Sequence, residues 1–248
     1  METIQLPKYY SPSQVNEFNQ CPRMWGYRRA GVPTIQVEED KATLGSFLHN
    51  QIREYYDVIR PPINPQLIEA TFGDIVARNW ETLPLKQYSA RKDKVVENFV
   101  AFEKRRLESW RNYRPTFVEQ RLTTNEFVEP LVAIVDAYWE GDKTAVNWKT
   151  GNVSEISSSM LLQGKIESVI LEANGYPVEK YIFALLYSGR WLEMPKLTSG
   201  IIIKVLDEMR QSKESGVYLR RESYLCDRWC EFNLRCRLEK EGKCLWGL

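Results

Sequence analysis

The cysteines constrain this chain more than any other feature: four of its five, Cys226, Cys230, Cys236 and Cys244, stand in the tail, and the fifth is Cys21 near the start. Positions 22 to 225 hold none. Closely spaced thiols at one end of a chain read as a metal or iron-sulfur site. Three tail thiols together with the distant one would join the two ends of the protein around one cofactor. A disulfide pair and small buried hydrophobes are the blander accounts. The opening run Met-Glu-Thr-Ile-Gln-Leu-Pro-Lys lacks the apolar core of a secretory signal, and no stretch of about 18 apolar residues is present to span a membrane. The expectation is a reducing, cytoplasmic compartment with no membrane partner, where disulfides are disfavoured.

With 248 residues, 43% hydrophobic and 12% aromatic, the chain can build a substantial core as one large domain or two small ones. Its 34 basic and 33 acidic residues give no global basic signal, so any nucleic-acid contact must come from local clusters. The clearest is Arg23, Arg28 and Arg29 around Trp25 and Tyr27. The rings could stack on unpaired bases while the guanidinium groups hold phosphates, and packing of those rings against a bound cofactor explains them equally well. Arg91 to Lys94 and Lys104 to Arg106 read as well as solvated helix faces.

Ser11-Pro12-Ser13-Gln14 forms a capping box that starts a helix running to Cys21-Pro22. Leu44, Phe47, Leu48, Ile52, Tyr55, Tyr56 and Ile59 recur at helical spacing in a second helix that carries His49 and stops at Pro61-Pro62. Two more helices are expected over about 65 to 82 and 90 to 113. After Pro115 the texture changes to short runs of Val, Thr and aromatics, at 116–123, 128–140 and 144–148, which read as an antiparallel meander. A helix over 157–173, strands near 180–187 and 191–194, and a helix over 199–214 stopped by Gly216 complete the pattern. The result is an α/β chain with a mixed sheet flanked by helices. One domain is the simplest account: a helical part over 1–114, a core over 115–216 and a cysteine-rich tail over 217–248.

The chemistry falls in the meander. Asp136 ends the apolar run Leu131 to Val135, and Ala145-Val146-Asn147-Trp148-Lys149-Thr150-Gly151 follows. Strand alternation puts Asn147 and Lys149 on one face, and an antiparallel partner can bring Asp136 beside them. Oxygen ligands with a lysine suit phosphodiester hydrolysis, in which Mg²⁺ or Mn²⁺ polarises the phosphate and lysine orients the attacking water. Ordinary hairpin polar residues would give the same spacing.

The motifs do not stand alone. Ser11 to Ser13, Cys21-Pro22-Arg23, Gly45 to His49, Val135-Asp136, Val146 to Gly151, Leu162-Gln163 and the tail cysteines follow in an order that resembles the RecB-like PD-(D/E)XK nucleases with an iron-sulfur cluster. The resemblance is to the Cas-type exonucleases, the fourth CRISPR-associated family, and to the AddB nuclease domain, and it covers nearly the whole chain. It implies a restriction-endonuclease-like core and metal-dependent exonuclease activity, mainly on single-stranded DNA. It further implies Mg²⁺ or Mn²⁺ held by His49, Asp136 and Asn147, Lys149 as the catalytic lysine, and Gln163 as the glutamine of the Q-x-x-x-Y motif. Cys21, Cys226, Cys230 and Cys236 would hold a structural 4Fe-4S cluster, with Cys244 as the spare thiol and Trp229 shielding the cofactor. Glu119 could add an acidic group, although an exposed strand glutamate is the simpler account.

Three departures stand out. Asn147 occupies a position that is acidic in the family, and an amide offers a metal its carbonyl oxygen without negative charge. Weak metal binding and poor cutting are expected, as in a nuclease inactivated by exchanging an aspartate for asparagine. Glu167 stands where the motif has tyrosine, and the first tail spacing is one residue longer than the family's. The alternative is a non-catalytic DNA-binding or adaptor protein with a degenerate site.

Overall fold

In the computed structural model the described residues are 6–32, 40–81, 86–195, 200–223, 226 and 230–240; Cys244 and Trp229 lie outside them. Local sequence sets most helix starts. Ser11 caps α1 (Pro12–Gln20), where its hydroxyl accepts from the Gln14 N–H at 3.3 Å and the Gln14 side chain accepts from the Ser11 N–H at 3.0 Å. Pro22 then does double duty: it closes α1 and, preset for the first helical position, opens α2 (Pro22–Arg29), a helix the sequence reading did not separate. Next come α3 (Asp40–Val58), α4 (Pro65–Trp80) capped by Asn64, and α5 (Ser89–Ser109).

The sheet follows as β1 (Phe117–Thr124), β2 (Leu131–Trp139) and β3 (Thr144–Lys149). Beyond them lie α6 (Ser158–Ala173), β4 (Lys180–Leu185), β5 (Arg190–Glu193), α7 (Gly200–Ser215) and α8 (Asn233–Lys240), of which α8 was not expected. The five strands lie side by side in sequence order. β2 and β3 form an antiparallel hairpin, whereas β3 and β4 are parallel, which requires the crossover that α6 provides. β4 and β5 close the sheet as an antiparallel pair around Gly189, whose φ of +69° suits a residue without a side chain.

Alternation sorts the strands into two faces. Ala137, Trp139, Val146, Trp148, Ile182, Ala184 and Leu186 join one core with the apolar stripes of α3, α4 and α5, in which the Phe72 and Phe99 rings lie 4.2 Å apart. Within that core Arg106 and Glu103 are fully buried and paired at 2.9 Å, with Trp139 and Tyr113 rings against the guanidinium. The opposite face receives α6, and a side chain at Gly164 would meet Met194, Phe183 and Tyr181 at 2.8 to 3.0 Å. The helix therefore sits as close to the strands as a glycine allows.

Contacts gather the chain into two compact units. One comprises Met1–Glu38, Asn125–Leu131 and Ser199–Leu248, drawing on both ends of the chain; the other comprises Glu39–Thr124 and Val132–Thr198. In the first, the Tyr10 N–H donates to the Pro130 carbonyl at 2.8 Å, and Lys213 pairs with the buried Glu129 at 2.7 Å.

Candidate active site

The second unit assembles the hydrolytic residues where β2 and β3 part. Their ladder runs from Trp139 opposite Thr144 to Ala137 opposite Val146. One step further, the Trp148 N–H donates at 2.8 Å to the Asp136 carboxylate. Alternation does the rest: Val146 and Trp148 enter the aromatic core, and Asn147 and Lys149 turn to the α6 side.

His49 on α3 is fixed at both nitrogens. Its Nε2 lies 3.1 Å from the Trp148 carbonyl, to which it can only donate, and its Nδ1 lies 3.0 Å from Glu119 Oε1 and 3.9 Å from Asp136 Oδ1. A backbone acceptor on one nitrogen leaves the other for a cation, the usual arrangement of a metal-ligating histidine. His49, Glu119 and Asp136 each offer a ligand atom within 4.8 Å of the others, the one such group among the described residues.

Without a cation these charges are strained. Burial lowers the His49 pKa, but the Asp136 charge, the Glu119 hydrogen bond and charge, and the Trp148 carbonyl outweigh it and raise the value to about 9. Burial and the Glu119 charge push Asp136 up to about 6, against His49, Lys149 and the Trp148 N–H.

A sequence profile of the PD-(D/E)XK nuclease superfamily matches residues 9–181. The chain belongs to that superfamily. Its fold is similar to that of a crystal structure from Eubacterium rectale described as "putative exonuclease", with 13% identity, a TM-score of 0.55 and 94% of each chain covered. At that identity the likeness concerns the fold. No curated protein matches the chain.

As a member of this nuclease superfamily the chain shows two corrections to its sequence reading. Glu119 is no exposed strand glutamate: its φ of +50° is left-handed, which breaks the alternation of β1 and sends the side chain to His49 while its neighbour Val118 packs on the core. No residue-type signal marks such a bend. Glu167 does not leave a gap in the helix motif either. It is 2% exposed and accepts from Gln163 Nε2 at 2.8 Å, from the Tyr181 hydroxyl and from Asn147 Nδ2 at 3.4 Å. Burial and the Asp136 charge raise its pKa to about 7. Tyr181, on β4, thus brings a phenol to this cluster from a different element, and no sequence motif pointed to it. Gln163 stands between Glu167 and Lys149, accepting from Lys149 Nζ at 2.8 Å.

Cys21, Cys226, Cys230 and Cys236 are free thiols in the first unit, and all four line one small pocket together with Arg23, Met24, Tyr27 and Arg220. Burial, then the neighbouring Cys226, Cys21 and Cys236, push the Cys230 thiol up.

The aromatic residues considered for base stacking are used internally. Trp25 is 0% exposed between Phe18 and Tyr218, at 5.7 Å from each, and Tyr27 packs 5.2 Å from Phe232. Neither ring is open to a base, so packing beside the cysteine cavity is the account that fits. Arg28 is held by Glu17 at 2.7 Å and by Glu231, Arg29 lies over the Trp25 ring at 5.5 Å, and Arg23 donates to the Tyr218 carbonyl at 3.4 Å.

Proposed function

We propose that this chain is a metal-dependent exonuclease that hydrolyses DNA, mainly single-stranded, using Mg²⁺ or Mn²⁺. The observation that carries the reading is the convergence of His49 Nδ1, Glu119 and Asp136, with Lys149 held nearby by Gln163. The residues fit a divalent ion: Asn147 Oδ1 is buried without a hydrogen-bond partner among the described residues, and carboxylate oxygens with an imidazole suit such a cation. When bound, the ion would polarise the phosphate and acidify its water.

The chain's own groups then have distinct tasks. The Trp148 carbonyl fixes the His49 tautomer, and the Trp148 N–H orients Asp136. Gln163 accepts one hydrogen of the Lys149 ammonium, which leaves two to orient water and to offset charge on the phosphate. Preference for single strands and the exonucleolytic mode rest on the resemblance to the Cas-type and AddB nucleases.

A 4Fe-4S cluster at Cys21, Cys226, Cys230 and Cys236 belongs to the same reading. Its support is the shared cavity, where Arg220 Nε and Nη1 are buried without partners among the described residues, as befits an anionic guest. No three of these sulfurs lie within 4.8 Å of one another. A single tetrahedral zinc, with Zn–S near 2.3 Å, would hold them about 3.8 Å apart. Free thiols also suit the cytoplasm, and no helix among the described residues is long and apolar enough to cross a membrane.

The uncharged Asn147 favours a second reading, an inactive nuclease serving as a DNA-binding or adaptor protein. Incubating end-labelled single-stranded DNA, duplex DNA and RNA with the protein and Mn²⁺ separates them. Progressive shortening of single-stranded DNA from its ends is expected; binding without cleavage on all three would establish the adaptor.

A further inference from the structure

Asn147 has a carboxylate partner 20 residues away in sequence. Position 147 on β3 carries a buried uncharged amide, and position 167 on α6 carries a buried carboxylate. The two side chains meet: Asn147 Nδ2 faces Glu167 Oε2 at 3.4 Å, and Asn147 Oδ1 is buried without a partner among the described residues.

The other donors to Glu167 are neutral, Gln163 Nε2 and the Tyr181 hydroxyl, and no lysine, arginine or histidine nitrogen among the described residues lies within 4.0 Å of it. A glutamine could accept from the same donors at a lower desolvation cost. A buried carboxylate without a cationic contact, beside an amide oxygen without a donor, is what a cation binding there would satisfy.

We propose that Asn147 and Glu167 act as one unit of the metal site: Glu167 holds the amide so that Oδ1 is free for the ion, and supplies from α6 the negative charge that Asn147 lacks on β3. Glu167 is thus a positioning residue and a charge donor. The inference rests on the metal-dependent nuclease reading. An aspartate at 147 would oppose Glu167 across the same short gap, so the effects of the two positions must be strongly coupled.

Calorimetric titration with Mn²⁺, supported by Mn²⁺-induced shifts in melting temperature, tests this on the unaltered protein, Asn147→Asp, Glu167→Gln and the double variant. Glu167→Gln is expected to weaken Mn²⁺ binding at least tenfold. Asn147→Asp alone should gain less than tenfold, and the same change in the Glu167→Gln background should gain tenfold or more. A loss below tenfold in Glu167→Gln, or equal gains from Asn147→Asp in both backgrounds, overturns the pairing. If Glu167→Gln shows no folded melting transition, Asn147→Asp alone decides: a gain of tenfold or more overturns the proposal and a smaller one supports it. Absence of Mn²⁺ binding in every variant, the unaltered protein included, sinks the metal-site reading itself.

Discussion

At the scale of single residues, the site is a set of charges that burial makes costly until a cation arrives. In the metal-free fold the pKa values of Asp136 and Glu167 are raised to about 6 and about 7, first by burial. A carboxyl raised in the folded state stabilises it fully below its ordinary pKa, and that contribution disappears as pH rises through the folded value. His49, raised to about 9, follows the same rule, so metal-free protein should lose melting temperature between about pH 4 and pH 9, whereas Mn²⁺ affinity should rise over the same window because binding displaces the carboxyl protons and the His49 Nδ1 proton. Calorimetry in buffers of different ionisation enthalpy reads the proton release directly; affinity independent of pH would contradict it. Much of this site was legible in the sequence, because alternation along β3 places Asn147 and Lys149 together and Glu167 is one helical turn from Gln163. Glu119 was readable as an added acid from its strand, but its placement at His49 was not, since that depends on a left-handed φ that a glutamate does not advertise.

At the scale of elements, α6 carries the organisation of the site's other side. Gly164 lets it lie against β4, and that closeness lets Gln163 reach Lys149 while Glu167 meets Asn147 and Tyr181. Gly164→Ala should improve helix propensity yet destabilise the protein by about 1–3 kcal/mol through overpacking, and weaken Mn²⁺ binding with it. Chemical denaturation and calorimetry on this one variant check both; a stabilised protein with unchanged affinity would show the contact to be slack. Helix starts such as Ser11 and Asn64 were readable because caps are local chemistry. The mixed sheet was readable from the helix placed between strands, whereas the residue register of β3 on β4 was not, because it depends on how α6 packs rather than on any residue in either strand.

At the scale of the whole molecule, one unit carries the hydrolytic residues and the other draws on both chain ends and contains the four described cysteines. Tyr27 and Phe232 pack beside Cys230 and Cys236 there. Protein purified without oxygen should be brown with about four irons per chain, and Cys21→Ser should bleach it and lower its melting temperature. One zinc and no colour would replace the cluster while keeping the site. Its membership of the nuclease superfamily finally makes one assay decisive: cleavage of end-labelled single-stranded DNA against Mn²⁺ concentration for the unaltered protein, Asp136→Asn and Lys149→Ala. The account predicts Mn²⁺-dependent cleavage by the unaltered protein and about a hundredfold or greater loss in each variant, about 3 kcal/mol of barrier. Cleavage that persists undiminished in both variants, or none by the unaltered protein at saturating Mn²⁺, would contradict it.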